Sequence, residues 1–285
     1  MQVHKNMAWI DDAKVIEILG DTKPWFIHPA GMMGLVGDTY SGCSCGRSLS
    51  VEELRLIVCG LRQIDGISST DLFNDPRCTL NNSDRTYERL THELNTAFNK
   101  YNILTCIRRI HFIAQVFHET DRFRTTTEYN ASNKPYAPYV GRGLMQLTHS
   151  SNYNLYDACV DDDIISNIEV IANELFLSVD SAGWFWRQGV VLSTSRTWIP
   201  SSTSSVVSQF HNEIEIEKEI ITVRSSAESQ VTYGTFNLGV LADGDYTDVI
   251  SYLVNGGSYG LIERRSYVEN LKELLNYERC KNHHR

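Results

Sequence analysis

The apolar residues between Ile103 and Glu119 repeat with the period of an α-helix that is buried on two sides. Extending one apolar line by three residues reaches Glu119, near the C-terminal end of this helix. A carboxyl group there loses solvation and lies near the negative end of the helix dipole, and both effects favour its protonated form. A general acid needs that form. The two lines consist of Ile107, Ile110, Ala114 and Phe117, and of Phe112 and Val116.

The same periodicity predicts further helices on both sides of this segment. Ser50-Val-Glu-Glu53 has the pattern of a capping box, which marks a helix N-terminus. The tail from Cys280 onward is predicted to be frayed. The predicted helices run from Ser50 to about Gln63, from Ser83 through a face formed by Leu90, Leu94, Phe98 and Tyr101, from Ile168 to Trp186, and from Leu261 to Tyr277.

One stretch departs from the helical pattern. From Glu213 to Val223 glutamate and isoleucine alternate, which predicts a half-exposed strand, in a hairpin with Gln230–Tyr233. We expect an insertion at about residues 190–236. Residues 1–47 are rich in glycine and turn signals and are predicted to form an N-terminal extension or linker, while residues 48–285 form the main domain. The sequence therefore predicts a mainly α fold with a small β-containing insertion.

A second carboxylate, Glu128, follows nine residues after Glu119 in the polar run Thr-Thr-Thr-Glu-Tyr-Asn. Nothing apolar lies near it in sequence, so we expect it to stay ionised. Two carboxyl groups in contrasting environments can divide the acid and base steps of glycoside hydrolysis. Solvated surface charge is the alternative, because most pairs of acidic residues are no more than that.

The segments RRIHFIAQVFHET, EYN and YVGRGLMQLTHSSNY resemble glycoside hydrolase family 19, the chitinases and the related phage endolysins. The resemblance covers roughly Leu90 to Tyr277 and implies a two-lobed, lysozyme-like fold. It also implies that Glu119 is the general acid, that Glu128 is the base, and that Thr148 helps to position the attacking water.

Further residues match positions that bind the sugar in that family. If the segment Leu-Met-Gln-Leu-Thr is extended, Gln146 and Thr148 lie on the same side of it. Turn and cap roles remain the alternative for Gln146 and Asn152, and a tight turn remains the alternative for Asn255. The candidate substrate-binding residues are Tyr129, Arg142, Gln146, Asn152, Asn255 and Arg264. A substrate-contacting role for Trp184 or Trp186 is weighed against a core position, which is favoured.

The chain departs from the family pattern in one place that bears on catalysis. HETDRF replaces the more usual His-Glu-Thr-Gly-Gly-Phe, and Asp121 and Arg122 are bulky enough to crowd the cleft. A non-catalytic glycan-binding protein on the same scaffold therefore remains an alternative to an enzyme.

Composition excludes several other classes. The net charge of −9, from 26 basic and 35 acidic residues, argues against binding to nucleic acid. No apolar run is long enough for a membrane span, and the N-terminus lacks the pattern of a signal peptide. The seven cysteines are odd in number and scattered, which favours synthesis in a reducing compartment. Cys43-Ser44-Cys45 has no partner pair at ligand spacing, so we predict neither a metal nor a cofactor.

The function predicted first is an inverting, muramidase-type hydrolysis of peptidoglycan glycan strands by an antibacterial effector or endolysin. It rests on the short segment Tyr129–Val140, which implies an open groove, and on a toxin-like N-terminal region. A cognate immunity protein or a component of a secretion apparatus is the expected partner. Without a signal peptide, the protein is expected to act in the periplasm or cell wall of a target bacterium after release. A chitinase acting on β-1,4-linked N-acetylglucosamine polymers is the close alternative.

Overall fold

The computed structural model describes residues 45–192, 218–224 and 230–283, and helices dominate these ranges. The prediction of a mainly α fold is confirmed. None of the helices in the described ranges combines the length and the apolarity needed to cross a bilayer. The helices are α1 (Val51–Ile64), α2 (Tyr87–Lys100), α3 (Cys106–Glu119), α4 (Ser150–Asp157), α5 (Val170–Asn173), α6 (Leu175–Trp184), α7 (Leu238–Asp243), α8 (Thr247–Asn255), α9 (Leu261–Leu274) and α10 (Tyr277–His283).

Side-chain caps set the starts of the first two helices. At α1 the Ser50 hydroxyl accepts from the Glu53 N–H at 3.1 Å, and the Glu53 carboxylate accepts from the Ser50 N–H at 2.8 Å, so the predicted capping box is confirmed. The predicted start of the second helix at Ser83 is wrong. Ser83 lies in a short 3-10 turn, and α2 begins after Thr86, whose hydroxyl caps the Arg89 N–H at 3.2 Å.

Helix α3 lies in the core and ends at Glu119, as predicted. Its apolar sides are covered by α9 and by the segment after α6. The Phe117 ring packs edge-on against Tyr267 of α9 at 4.9 Å, and Phe112 packs against Trp186 at 5.5 Å. Arg109 of this helix is also buried: it is 2% exposed, and its Nε donates to the Ile103 carbonyl.

The predicted single helix from Ile168 to Trp186 is divided into α5 and α6. The break falls at Glu174, whose backbone is extended (φ −114°, ψ 121°), and the Ser178 hydroxyl bonds back to the Ile171 carbonyl across it. After α6 a π-helical turn covers Phe185–Gly189. Trp184 and Trp186 are both buried in the core, which confirms the core position over sugar stacking.

A three-stranded antiparallel sheet forms the β part of the chain. The strands are β1 (Val190–Leu192), β2 (Lys218–Arg224) and β3 (Gln230–Phe236), in the order β1-β3-β2. The β2–β3 pairing matches the predicted hairpin, with Arg224 opposite Gln230. The alternating residues 213–217 and the predicted extension through residue 44 lie outside the described residues.

The C-terminal part differs from expectation. The predicted last helix ends at Leu274 rather than Tyr277, and a further helix, α10, follows. Cys280 within α10 is 2% exposed, so the prediction of a frayed tail from this residue is wrong.

Candidate active site

A cleft of about 730 Å³ contains both predicted catalytic carboxylates. Glu119 reaches it from the last residue of α3, and Glu128 from the loop that follows. The two groups also influence each other electrostatically, because the charge of Glu128 contributes to raising the pKa of Glu119. The structure therefore brings the predicted acid and base to one cavity.

The end of α3 determines where Glu119 points. The Asp121 N–H donates to the His118 carbonyl at 3.2 Å and the Arg122 N–H donates to the Phe117 carbonyl at 2.7 Å, which is the pattern of a Schellman motif. The motif needs a left-handed residue after the helix, usually glycine. Here Asp121, Arg122 and Phe123 have φ values of 48°, 68° and 57°.

Buried donors hold this left-handed turn in place. The Arg62 guanidinium, 1% exposed, donates to the Arg122 carbonyl at 2.9 Å and to the Phe123 carbonyl at 3.1 Å. The Arg122 side chain is drawn to Asp65 at 2.6 Å, and Asp121 accepts from the Tyr129 hydroxyl at 2.6 Å. Asp121 and Arg122 do line the cleft, but their charged ends are fastened to its wall. Such over-determined strain is common at functional sites.

Glu119 lies in a dry environment. Its side chain is 15% exposed, and its neighbour Arg264 is fully buried. Arg264 donates to Glu119 Oε1 and, with its other terminal nitrogen, to the Gln115 side-chain carbonyl. Burial raises the pKa of Glu119, and this effect outweighs the opposing charge and hydrogen bond of Arg264.

Glu128 lies among donors. Its Oε1 accepts from the Tyr136 hydroxyl at 2.8 Å and from Lys134 at 2.6 Å, and its Oε2 accepts from the Gly141 N–H at 3.0 Å. Partial burial works to raise the pKa of Glu128, but Lys134, Gly141 and Tyr136 together lower it below its ordinary value. Since a carboxylate has about four acceptor positions, one position on Oε2 remains for a water molecule.

The loop around Gly141 fixes the position of Glu128. The Glu128 N–H donates to the Gly141 carbonyl at 2.9 Å. A Cβ at residue 141 would lie 2.8 Å from the Gln146 side-chain oxygen and 3.3 Å from the Glu128 Cβ, so a larger residue here would push Gln146 aside and press on Glu128. The condition that residues 144–148 are extended is not met: they close a turn in which Gln146 has a φ of 51° and Arg142 bridges to Leu147.

Thr148, Gln146 and Asn152 all line the cleft. The Thr148 hydroxyl donates to the Gln146 carbonyl at 2.7 Å, and the Asn152 amide donates to the Thr148 carbonyl at 2.9 Å. Because the Thr148 hydroxyl donates its proton to the Gln146 carbonyl, its oxygen can accept a hydrogen bond from a water or a sugar hydroxyl. Hydrogen bonds to backbone carbonyls of the same loop thus hold the Thr148 and Asn152 side chains in place.

The other predicted binding residues divide into two groups. Tyr129, Asn255 and Arg264 line the cleft, with Asn255 as the last residue of α8. Arg142 does not line it. It is 4% exposed and donates to Glu169 and to the Pro138 carbonyl. We therefore replace its predicted sugar contact with a structural role, in which a buried guanidinium fastens the loop that carries Glu128.

Sequence reasoning missed several cleft residues. Lys134 and Tyr136, six and eight residues after Glu128, supply two of its three donors. His118 also lines the cleft, and burial and the charge of Arg264 lower its pKa to about 3, so it is neutral there. A lysine and a tyrosine following so soon after a candidate base in a short loop were the available signal. Nothing in the helical pattern distinguished His118.

A buried carboxyl group with a raised pKa, facing a cleft that also holds a carboxylate with a lowered pKa, is the kind of pair that glycosidases use for acid and base catalysis. The family model for glycoside hydrolase family 19, described as "Chitinase class I", matches residues 108–215. Over these residues, which make up somewhat more than a third of the chain, the sequence is similar to that family.

Relatives that match the chain include plant endochitinases. Acidic endochitinase Q of Nicotiana tabacum is 28% identical over 141 residues, 43% of this chain and 55% of that protein. An acidic endochitinase of Petunia hybrida is 40% identical over 48 residues, 17% of this chain and 19% of that protein. The chain thus spans about half, or much less, of the length of these relatives.

Solved structures of chitinases also resemble the chain. Chitinase C from Streptomyces griseus HUT6037 has a TM-score of 0.46 at 16% identity and covers 70% of this chain and 87% of its own. A class IV chitinase from Zea mays has a TM-score of 0.43 at 15% identity, with 77% and 92% covered.

Proposed function

We propose that this protein hydrolyses β-1,4 bonds in N-acetylated glycans with inversion, using Glu119 as the general acid and Glu128 as the general base. The contrast between the two carboxyl groups in one cleft supports this assignment. Burial favours the protonated form of Glu119, while three donors favour the ionised form of Glu128. Each pKa is therefore shifted in the direction that the group's step requires.

The contacts suggest how each group acts. Arg264 holds Oε1 of Glu119, which leaves Oε2 to carry the proton to the leaving oxygen. On the other side, the remaining acceptor position of Glu128 Oε2 takes the proton of an attacking water, and Thr148 offers that water a second acceptor. As the bond to the leaving oxygen breaks, water attacks from the opposite face of the sugar, which inverts the anomeric carbon.

Chitin-type polymers of N-acetylglucosamine are the substrate that we propose first. The relatives reported above carry the names of chitinases, so they favour this alternative over the peptidoglycan hydrolysis predicted first from sequence. Peptidoglycan is the second candidate. It is favoured by the short segment from Tyr129 to Val140, and delivery to a bacterial wall and an immunity protein belong to this second candidate alone.

The test compares the two polymers with one enzyme preparation. N-acetylglucosamine hexamers and purified bacterial sacculi are digested in parallel, and the products are identified by mass spectrometry. NMR of the first product gives its anomeric form, and an α-anomer from the β-linked substrate is expected. Faster cleavage of the hexamer supports a chitinase, whereas reducing ends released only from sacculi support a peptidoglycan hydrolase.

Two variants connect the activity to the site. Glu119→Gln keeps the size of the side chain but removes the acid, and the rate should fall by roughly 10²- to 10⁴-fold. Glu263→Gln is the matched control, since Glu263 is an exposed carboxylate on α9 that does not line the cleft. Equal rates for wild type and Glu119→Gln on both polymers would defeat the proposal and favour a glycan-binding protein.

A further inference from the structure

Three cysteines from distant parts of the chain meet away from the cleft. Cys45 precedes α1, Cys106 is the first residue of α3, and Cys280 lies in α10. Their sulfur atoms all lie within 4.8 Å of one another, and the Cys45 and Cys280 sulfurs are 3.4 Å apart. Cys106 and Cys280 are buried. Cys43 lies outside the described residues.

The spacing of the sulfurs fits ligands of one ion better than a bond between two of them. A disulfide requires about 2.05 Å between sulfurs, far less than the 3.4 Å observed. In a tetrahedral zinc site with Zn–S bonds of about 2.3 Å, the sulfurs are roughly 3.8 Å apart. That separation lies between the observed 3.4 Å and the outer limit of 4.8 Å.

Two features of the fold direct positive partial charge at the cluster. Cys106 opens a helix of 14 residues, so the positive end of its dipole faces the cluster. The Cys106 N–H also donates to the Cys45 sulfur at 3.0 Å, a contact of the kind that orients metal ligands. Burial lowers the pKa of the Arg109 guanidinium one turn further on, and the nearby Cys106 and Cys45 sulfurs work against that shift.

We propose that Cys45, Cys106 and Cys280 are thiolate ligands of a structural Zn²⁺ ion that fastens α10 and the segment before α1 to the first turn of α3. Thiolate is the usual ligand of structural zinc, and synthesis in a reducing compartment keeps the three thiols available. Binding forms three Zn–S bonds and releases the thiol protons to solvent.

The position of the proposed ion indicates that it stabilises the fold and takes no part in catalysis. Cys106 and Glu119 are the first and last residues of α3, and a helix of this length spans about 20 Å at 1.5 Å per residue. The ion would therefore lie at the opposite end of the helix from the acid. It would instead join residues that are 235 positions apart in sequence, Cys45 and Cys280.

The full chain, purified in reducing and metal-free buffer after growth with zinc, is analysed for metal by mass spectrometry. We expect about one Zn²⁺ per chain, and a shell of at least three sulfurs in X-ray absorption. Removal of the metal by a chelator should lower the melting temperature, and added Zn²⁺ should restore it. Cys280→Ser should lose most of the zinc, whereas Cys59→Ser, which alters a cysteine outside the cluster, should keep it.

If Cys280→Ser does not fold, a titration of the metal-free wild type with Co²⁺ decides instead, because thiolate ligation produces an intense sulfur-to-cobalt charge-transfer band. Reduced protein that binds neither ion would overturn the proposal. So would zinc that remains bound when all three cysteines are replaced, or a Cys45–Cys280 disulfide in protein isolated from reducing cells.

Discussion

The two sides of the cleft hold their carboxyl groups by different means. Glu119 is positioned by helices: α3 carries it, and α9 brings the buried Arg264 to it. Glu128 is positioned by a loop that turns back on itself, with donors from Lys134, Tyr136 and the Gly141 backbone. The environment of Glu119 raises its pKa by excluding water, and the environment of Glu128 lowers its pKa by supplying hydrogen bonds.

Because the two carboxyl groups have opposite pKa shifts, each should control a different limb of the pH–rate profile. In the proposed mechanism Glu128 must be ionised, so we expect the acid limb of the pH–rate profile to follow its lowered pKa. The same mechanism requires Glu119 to be protonated, so we expect the alkaline limb to follow its raised pKa. Changes near Glu119 disturb the core and the rate together, whereas changes near Glu128 should move the acid limb with little effect on folding.

The largest effect should come from exchanging each carboxyl group for an amide. Each variant is then tested with a reagent that makes the missing acid or base unnecessary. Glu119→Gln and Glu128→Gln should each lose roughly 10²- to 10⁴-fold in kcat on an unactivated glycan. A dinitrophenyl glycoside needs no protonation on leaving, so it should restore the rate of Glu119→Gln alone. Azide needs no general base, so it should restore Glu128→Gln alone, with an α-glycosyl azide as product.

The rescue pattern is measured by initial rates and by NMR of the products. If azide instead rescued Glu119→Gln, the roles of the two residues would be exchanged. A β-glycosyl azide would indicate a retaining enzyme with a covalent intermediate.

The second effect concerns Arg264. Arg264→Lys keeps the positive charge, but an ammonium group cannot reproduce the planar fork that holds both Glu119 and Gln115. We expect kcat to fall roughly tenfold to a hundredfold, the range for losing a charge-assisted hydrogen bond, with a smaller change in KM. Arg265→Lys is the control, because the neighbouring Arg265 pairs with the Asp248 carboxylate instead.

Steady-state kinetics and thermal melting of both variants distinguish an effect on catalysis from an effect on stability. A kcat for Arg264→Lys equal to that of Arg265→Lys would show that Arg264 serves folding only.

Secondary structure could be predicted from the sequence where the pattern that determines it spans only a few neighbouring residues. The capping box at Ser50 and the apolar periodicity of α3 lie within a few turns, and both helices formed as predicted. The sequence was insufficient where the contact partner is distant or the backbone irregular. The apolar pattern from Ile168 to Trp186 continues through the break at Glu174, because burial does not require an unbroken helix.

The site shows the same limit. The placement of Glu119 at a helix end could be predicted, but its partner Arg264 is 145 residues away and could be named only from the family resemblance. Arg142 was assigned to the sugar because a motif gives residue types and not directions, and its guanidinium turns into the protein. The three clustered cysteines have no characteristic spacing in sequence, since folding alone brings them together.

The third effect is a shift in pH dependence. Lys134→Met removes a charge and a hydrogen bond from Glu128, so the pKa of Glu128 should rise and the acid limb should move to higher pH. Tyr136→Phe removes only a hydrogen bond and should move the limb less, in the same direction. The rate at the optimum should fall by less than about tenfold, because the carboxylate remains. An acid limb that is unchanged in both variants would show that another group sets it.

The smallest effect tests the turn after α3, where this chain has Asp121 at a position that favours glycine. Asp121→Gly and Asp121→Ala both lose the contacts of the carboxylate with Arg124 and Tyr129. They differ in the backbone, because a Cβ in the left-handed region costs about 1 kcal/mol. Asp121→Gly should therefore be the more stable of the two by about that amount, measured by urea unfolding.

The same pair of changes at Glu269 gives the matched control. Glu269 is an exposed residue within α9 and makes one ion pair, with Lys272. In a helix interior glycine is less stable than alanine by about 1 kcal/mol, so the order of the two variants should reverse. If glycine and alanine ranked alike at both positions, the turn after α3 would not be strained.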